Sequence, residues 1–341
     1  MAKRGMTYAD AGVDIDLKSR SISALVEKLG RSRKGGFAPL DLPGHFTGLI
    51  DFGEYALSLC TDGVGTKLIV AEKLGVWNTV GIDCIAMNVN DTICVGAEPV
   101  AFVDYIAVDR PMPEILAQIG EGLQKGAELS NMAIVGGEVA IMPEVVRGID
   151  LTGTCLGIVK KEDMIIGSKC APGDRIVGLA SSGIHSNGLS LARKIIDENG
   201  LEYEDRIEGL ERRIGEELLV PTKIYVEEVL RLVRKYPVHG MINITGGGMR
   251  NFLRLREGLG FSLEAPMQPQ PVFTALQELG SVDDREMYQT FNMGMGFAIV
   301  APESSADSIV DELEGLAKIV GKVDDSGSVT MPSLGLEYDR Y

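Results

Sequence analysis

The chain has 341 residues, of which 45% are hydrophobic and 24% charged, a composition that fits one or two globular domains and excludes a disordered or collagen-like chain. Its 33 Lys and Arg against 49 Asp and Glu give a net charge of −16, so we expect no nucleic-acid partner. No uncharged apolar run reaches the roughly 20 residues that span a bilayer, and the first residues do not resemble a secretion signal. We therefore expect a cytoplasmic protein with no membrane partner.

Hydrophobic periodicity predicts alternating helices and strands. Apolar residues spaced three and four apart predict helices over 17–29, 68–74, 78–95 and 114–131, and another that begins at Leu189. Runs rich in β-branched residues predict strands over 55–61, 100–108, 151–160, 175–181, 241–245 and 291–301. A charge cluster followed by Pro-Gly in 160–174 predicts a boundary between domains 1–165 and 166–341. The expected fold is α/β (α+β) with two domains.

The cysteines and histidines are few. Five cysteines form no Cys-x-x-Cys pair and lie mostly in apolar segments, which predicts buried reduced thiols rather than disulfides or a zinc site. Two of the three histidines, His45 and His239, lie in turns flanked by Pro or Gly and are expected at the surface. His185 is a candidate acid, base or ligand-orienting group.

The segment 61–67, Thr-Asp-Gly-Val-Gly-Thr-Lys, connects a predicted strand to a predicted helix. Gly63 and Gly65 let backbone amides approach an anion, and Lys67 adds positive charge at the start of the helix beside the Thr66 hydroxyl. Asp62 would repel a phosphate unless a cation lay between them, so the combination indicates Mg²⁺ bridging a nucleotide. A plain turn has the same composition, and the chain contains neither a P-loop nor a G-x-G-x-x-G motif.

Two further segments carry oxygen ligands. Asp83 and Asn90 are seven residues apart on a predicted helix, which returns them to the same side, and Asp91 is one step further round. Gly136-Gly137-Glu138 is predicted to end a strand at a sharp bend. Each of these acidic residues alone is typical of a surface position. Three carboxylates at element boundaries, Asp62, Asp91 and Glu138, together favour a Mg²⁺-nucleotide site.

Two junctions in the second half suit a polar ligand. His185-Ser186-Asn187 lies where a predicted strand gives way to a helix, and Thr245-Gly246-Gly247-Gly248 follows another strand. An ordinary helix cap and a flexible bend, respectively, explain the same residues.

These segments, in this order, resemble the phosphoribosylformylglycinamidine cyclo-ligase family, the aminoimidazole ribonucleotide synthetases of purine biosynthesis. The similar segments are 8–15, 35–37, 61–67, 81–83, 89–91, 96–99, 136–138, 182–188, 221–225, 245–248 and 286–294. The resemblance implies ATP-dependent ring closure of formylglycinamidine ribonucleotide, with release of ADP and phosphate. It also implies a homodimer in which two N-terminal sheets pair into a barrel.

The resemblance also implies roles for individual residues. It implies a nucleotide site made of Gly35, Gly36, Phe37, Asp62, Gly63, Gly65, Thr66, Lys67, Asp83, Asn90, Asp91, Gly136, Gly137 and Glu138, with Asp62, Asp91 and Glu138 as Mg²⁺ ligands. It implies a substrate side made of His185, Ser186, Asn187, Thr245, Gly246, Gly247 and Gly248. His185, Lys67 and Asp91 are the expected catalytic residues.

Two positions depart from the family pattern. Asn243 stands where the family often has a histidine, and Ile141 replaces a carboxylate. Thiamine monophosphate kinase, selenophosphate synthetase and the hydrogenase maturation dehydratase share the expected fold. The sequence disfavours them because its first cysteine is Cys60, it does not end in cysteine, and it carries the segments around His185 and Gly246. A non-catalytic ATP-sensing or scaffolding protein on this fold is the alternative from another class.

Overall fold

A computed structural model describes residues 5–29, 33, 36–42 and 44–341, so Gly35 of the expected nucleotide segment lies outside the described residues. The helices found in these ranges are α1 (Ile15–Val26), α2 (Lys67–Leu74), α3 (Val80–Ile93), α4 (Pro113–Leu129), α5 (Leu189–Glu198), α6 (Ile214–Leu218), α7 (Val226–Lys235), α8 (Pro271–Gly280), α9 (Asp284–Thr290) and α10 (Glu303–Glu312). A 3₁₀ helix of seven residues, Gly248–Arg254, begins at the last of the three consecutive glycines.

The strands in the same ranges form two sheets. They are β1 (Pro39–Leu40), β2 (Gly48–Phe52), β3 (Tyr55–Gly63), β4 (Glu98–Val108), β5 (Ala133–Ile141), β6 (Ile149–Lys160), β7 (Arg175–Ala180), β8 (Gly240–Asn243), β9 (Gly260–Ser262), β10 (Met295–Ala301), β11 (Ala317–Asp324), β12 (Val329–Met331) and β13 (Leu336–Tyr338). The first sheet has the order β1-β2-β3-β6-β4-β5 and the second β13-β12-β9-β11-β7-β10-β8.

The first sheet is covered by helices on one face. Its neighbouring strands are antiparallel except β4 and β5, which run parallel and are connected through α4. Helix α3 packs against β3 and β6, where Ala56, Ser58 and Cys60 alternate with more exposed residues. The opposite face, which we call the open face, carries Leu59, Val103 and Tyr105, each about two fifths exposed.

The second sheet lies in the C-terminal half and joins the first through α3. Its neighbouring strands are antiparallel except β12 and β9. Helix α3 contacts both β8 and α7, and one hydrophobic cluster includes Val89 of α3 together with Tyr225 and Phe297. The polar side of α3 therefore faces the second half of the chain.

The predicted elements are present, with shifted ends. The strand expected over 291–301 begins at Met295, because 291–294 forms a turn in which Gly294 has φ +90°. Glycine adopts that conformation without steric cost. The short strands β9, β12 and β13 had no sequence signal strong enough to predict them. The sheets lie within 39–160 and 175–338, and the boundary at 165/166 stays a prediction.

The thiol prediction is confirmed, since all five cysteines are free and buried. Over the described residues, no helix has both the length and the apolar character that crossing a membrane requires. The apolar stripe predicted on the first helix does not pack into the core. Ile22 and Leu25 of α1 are 50% and 60% exposed.

Glycines set the distance between α3 and α4. A Cβ on Gly81 would lie 2.3 Å from the backbone nitrogen of Leu123, and a Cβ on Gly122 would lie 2.6 Å from the carbonyl oxygen of Asn78. Real Cβ atoms do not approach backbone so closely, so larger residues would push the helices apart. This contact holds α3, which carries Asp83, Asn90 and Asp91 of the candidate site.

We expect Gly81→Ala to lower the free energy of unfolding by about 1–3 kcal/mol, because the added methyl group overlaps backbone that cannot move independently. Urea-induced unfolding of the purified protein measures the change. Gly120→Ala on α4 is the matched control, since a Cβ there meets no atom within 4 Å. The control should be neutral or slightly more stable than wild type. Equal destabilisation by the two variants would contradict the role of close helix approach.

Candidate active site

Asp91, near the end of α3, lies where the two sheets meet. Its Oδ1 accepts a hydrogen bond from Asn243 Nδ2 of β8 at 2.8 Å, and Cys60 Sγ of β3 lies 3.9 Å from Oδ2. Burial raises the pKa of Asp91 to about 7, opposed by the Asn243 hydrogen bond and reinforced by the negative charge of Asp62. A carboxylate held in this way is a strong candidate ligand for a cation.

Asp62 lies close to the end of β3, two residues after Cys60, which contacts Asp91. Its Oδ1 accepts from the Gly63 amide at 2.7 Å, and Asn88 Nδ2 donates to its carbonyl oxygen at 3.1 Å. Burial raises the pKa of Asp62, while Lys18 and Arg254 lower it. The negative charge of Asp62 acts on Asp91, and the positive charge of Arg254 acts on both.

A cavity of about 490 Å³ opens beside Asp91. The prediction that His45 lies at the protein surface is wrong. His45 lines this cavity, and both its ring nitrogens are buried without a hydrogen-bond partner among the described residues. Burial, with help from Arg254, lowers the pKa of His45 to about 4, so the ring is neutral at pH 7. His239, also expected at the surface, is partly buried and lies 2.8 Å from Asp174.

Arg254 joins the loop 44–46, which lines the cavity, to the second half of the chain. Its Nε and Nη2 donate to the carbonyl oxygens of Gly44 and His45 at 3.0 and 3.1 Å. The guanidinium also lies over the Phe46 ring at 4.1 Å. Sequence reasoning missed both His45 and Arg254, because only the fold places segment 44–47 against the 3₁₀ helix.

Glu138 does not join the other two carboxylates within one chain. It pairs with Tyr105, on the open face, whereas Asp62 lies in register with Gly153 and Asp104 on the face covered by helices. Alternate residues of a strand point to opposite faces, which separates Glu138 from Asp62. In the described ranges, no group of three or more His, Cys, Asp or Glu side chains could hold a metal ion. The expected three-carboxylate cage is therefore not formed by the described residues of a single chain.

The sharp bend predicted at Gly136-Gly137 is also wrong, because both residues lie inside β5. A Cβ on Gly137 would lie 2.2 Å from Asp104 Oδ1, so this glycine makes room for a neighbouring carboxylate. Asp104 is a residue that sequence reasoning missed. Its signal was a charged residue at an inward-facing position of β4, between Phe102 and Ile106.

Lys67 and Asp83 form a fully buried ion pair, with Nζ and Oδ1 2.8 Å apart. Nζ also donates to the Val220 carbonyl oxygen at 2.7 Å, and Asp83 Oδ1 accepts from both the amide and the hydroxyl of Thr222 at 2.7 and 2.6 Å. Burial lowers the pKa of Lys67, and the charge of Asp83 opposes this. In this structure the ammonium group contacts the chain itself rather than facing an open phosphate site.

Asn90 makes the same kind of contact further along α3. Its Nδ2 donates to the Lys223 carbonyl oxygen at 2.8 Å, and its Oδ1 accepts from the Tyr225 amide at 3.1 Å. The helix geometry inferred from the spacing of Asp83 and Asn90 is correct. The partner of that polar side is the segment 220–225, which occupies the atoms expected to contact a nucleotide.

His185 is buried rather than exposed in a catalytic loop. Its Nε2 accepts from the Ser182 amide at 3.2 Å, and its φ of +61° places it at a turn. Burial, reinforced by the positive charges of Lys67 and Lys223, lowers the pKa of His185 to about 3. The imidazole is neutral and already hydrogen-bonded, a state that suits a structural role better than proton transfer.

The two junctions expected on the substrate side are neighbours. A Cβ on Gly246 would lie 3.2 Å from Asn187 Oδ1, and Ser186 Oγ lies 3.3 Å from the Thr222 hydroxyl. The triple-glycine turn is held by Asn251, whose Nδ2 donates to the Gly248 carbonyl oxygen at 2.7 Å. The fold thus gathers these residues at one place, whatever ligand they bind.

The remaining candidates lie in segment 61–67 and just before β1. Gly65 has φ +68°, and the Thr66 hydroxyl lies 3.2 Å from that of Ser190. Gly63 lies at the end of β3, directly after Asp62. Gly36 is exposed, and its carbonyl accepts from Arg33. The half-exposed Phe37 stacks on Phe52 with ring centroids 5.3 Å apart.

Two sheets joined by α3, with a carboxylate pair at their junction, define a two-domain protein of the AIR synthase type. The domain family described as "AIR synthase related protein, N-terminal domain" matches residues 44–159. The family described as "AIR synthase related protein, C-terminal domain" matches residues 171–332. The chain is 53% identical over 328 residues to the phosphoribosylformylglycinamidine cyclo-ligase of Methanococcoides burtonii, covering 96% of this chain and 97% of that one. It is 46% identical to that of Methanococcus maripaludis strain C5, over 98% of each. The chain belongs to the phosphoribosylformylglycinamidine cyclo-ligase family.

Solved structures share the fold at low identity. A Thermus thermophilus protein aligns with a TM-score of 0.67 and 20% identity over 95% of this chain and 99% of that one. The thiamine monophosphate kinase of Aquifex aeolicus aligns with a TM-score of 0.64 and 16% identity over 94% and 99%. These similarities confirm the expected fold class.

We expect Lys67→Met to lower the free energy of unfolding by about 3–5 kcal/mol, because it leaves the Asp83 carboxylate buried without its cation. Denaturant unfolding measures the loss. Lys73→Met, on the exposed surface of the same helix, is the control and should change stability by less than about 0.5 kcal/mol. Wild-type stability in Lys67→Met would refute a structural role for the ion pair.

Proposed function

We propose that this chain catalyses the ATP-dependent ring closure of formylglycinamidine ribonucleotide to 5-aminoimidazole ribonucleotide, releasing ADP and phosphate. The observation that carries the proposal is the near-complete match to relatives that bear the cyclo-ligase name, at 46–53% identity. The carboxylate pair Asp62 and Asp91, with Arg254 close by, supports it. The five free cysteines support a reducing compartment such as the cytoplasm.

The proposed chemistry needs no covalent nucleophile. The formyl amide oxygen attacks the γ-phosphorus of ATP, the bond to the β-phosphate oxygen breaks, and an iminophosphate forms. The amidine nitrogen then attacks the activated carbon, phosphate leaves, and the ring closes. Positioning and charge neutralisation dominate such phosphoryl transfers. Structures of AaThiL with AMPPCP and of T. maritima PurL with ADP support nucleotide binding on this fold.

The donor set fits Mg²⁺, which would neutralise the charge of a bound triphosphate. Mg²⁺ is commonly held by one or two carboxylates together with substrate phosphates and water, rather than by a cage of protein ligands. Asp62 and Asp91 supply two hard oxygen ligands, so the missing third carboxylate does not disfavour this ion. We propose Asp62 and Asp91 as its ligands from this chain.

The other expected residues have supporting roles in this proposal. Lys67, Asp83 and Asn90 hold the segment 220–225 against α3 and thereby position the substrate side. Ser186, Asn187 and the turn 245–248 are proposed to contact the ribonucleotide. His45 faces the cavity with unused ring nitrogens and can orient a polar group there.

We also propose that the protein is a homodimer whose subunits pair through the open face of the first sheet. Leu59, Val103 and Tyr105 expose apolar surface there, 43%, 40% and 39% respectively. An apolar sheet face of this kind is typical of a buried interface. Glu138 lies on the same face, so we propose that it contributes at the interface rather than beside Asp62.

We expect Asp91→Asn to abolish formation of aminoimidazole ribonucleotide, because the substitution removes the ligand charge but preserves size and the Asn243 contact. The assay mixes purified protein with ATP, Mg²⁺ and formylglycinamidine ribonucleotide and detects the aminoimidazole product. Asp163→Asn, an exposed carboxylate of the same half, is the control and should retain wild-type rates. Near-normal turnover by Asp91→Asn would refute the ligand role. ATP binding without turnover by wild type would instead indicate a nucleotide sensor.

We expect Val103→Asp to dissociate the dimer, because it buries a charge in an apolar interface. Light scattering coupled to size exclusion should show twice 36.6 kDa for wild type and 36.6 kDa for the variant. Val76→Asp alters a valine of similar exposure, 39%, outside this face and should remain dimeric. A monomeric wild type, or a dimeric Val103→Asp, would refute pairing through this face.

A further inference from the structure

A second polar cavity, of about 460 Å³, lies between the N-terminal segment and the C-terminal half. It shares no lining residue with the cavity beside Asp91. Three arginines line it, Arg250, Arg285 and Arg340, in a chain whose net charge is −16. Its volume lies within the range of small-molecule sites.

Arg250 is a buried cation with unpaired hydrogen-bond donors. The residue is only 7% exposed, and its Nε and Nη2 are buried without a hydrogen-bond partner among the described residues. Buried polar groups are nearly always paired, because an unpaired donor loses its hydration without compensation. Arg250 lies two residues after Gly248, and its amide donates to the Gly247 carbonyl oxygen at 3.0 Å, which ties its backbone to the triple-glycine turn.

Three carboxylates also line this cavity, Asp14, Glu286 and Asp339, and the first two are hydrogen-bonded to other groups. Glu286 accepts from the Tyr8 amide and from the side chain of Gln289. Asp14 caps α1 by accepting from the Leu17 amide at 2.9 Å. None of the three forms a salt bridge with Arg250 in the described part of the chain, so its Nε and Nη2 have no anionic partner there.

The geometry points to a binding site for a phosphate monoester, with Arg250 and Arg285 as its cationic ligands. A guanidinium presents parallel N–H donors that match two oxygens of a phosphate or carboxylate. A phosphate monoester presents three oxygens and nearly two negative charges, which suits more than one arginine better than a carboxylate does. The cavity also exceeds the size of a single anion and therefore accommodates the group esterified to the phosphate.

Binding at this cavity requires neither ATP nor Mg²⁺, so it can be measured apart from turnover. Isothermal titration calorimetry of the full chain with ribose 5-phosphate, and with inorganic phosphate, provides the readout. We expect saturable binding by wild type, a loss of affinity of about tenfold or more in Arg250→Met, and a smaller loss in Arg250→Lys. Arg234→Met removes an exposed guanidinium and is the control that should bind like wild type.

Thermal unfolding separates a binding defect from a folding defect. Without ligand, Arg250→Met should unfold at the wild-type temperature or higher, because it removes an unpaired buried charge. Ribose 5-phosphate should raise the unfolding temperature of wild type and not of Arg250→Met. Arg285→Met provides a second test on a more exposed residue. Absence of saturable binding by wild type, or equal affinities for Arg250→Met and Arg234→Met, would overturn the proposal.

A competition assay identifies the source of the phosphate. Competitive inhibition of turnover by ribose 5-phosphate, lost in Arg250→Met, would assign the site to the phosphate end of the ribonucleotide substrate. Binding by calorimetry without competition would assign it to a separate phosphate-bearing ligand. The calorimetric test of phosphate binding does not depend on which of these ligands occupies the site. It also does not depend on cyclo-ligase turnover.

Discussion

One fully buried carboxylate oxygen joins the two halves of this protein. Oδ1 of Asp83 accepts hydrogen bonds from Lys67 and from both the amide and hydroxyl of Thr222, at a position with no exposure to water. Charge-assisted hydrogen bonds in a region of low dielectric are strong, but they are costly when one partner is missing. Loss of either partner at the junction between α3 and segment 220–225 is therefore costly. Asn90 repeats the arrangement further along the helix.

The candidate site follows from that junction. Once α3 is held against the second half of the chain, Asp91 meets Asn243, and Arg254 reaches the loop that carries His45. The residues that line the cavity are thus separate from the buried residues that join the two halves of the chain. Lys67 and His185 have the most reactive side chains in their motifs. Both are buried and hydrogen-bonded to other parts of the chain. Asp62, Asp91 and His45 lie at the cavity, or beside it, instead.

Charge is distributed to suit anionic ligands despite the acidity of the chain. A net charge of −16 repels a nucleotide at long range, so binding has to rely on local groups. Two carboxylates close together favour a divalent cation, and buried arginines favour phosphate directly. The structure places Asp91 at one cavity and Arg250, with its unpaired donors, at another.

Local patterns in the sequence were sufficient to predict α1 to α5 and the strands β3, β4, β6, β7, β8 and β10, but not α6 to α10, β2 or β11. They also predicted the buried thiols, the α/β class and the shared polar side of Asp83 and Asn90. The order of motifs was sufficient to indicate the family. These features depend on residues close in sequence, whose periodicity and composition act over one or two turns. Tertiary structure alone decided that Glu138 lies on the opposite face from Asp62, that Lys67 faces Asp83, and that His45 and Arg250 line cavities. Those outcomes depend on strand register and on contacts between distant segments, which a one-dimensional pattern does not contain.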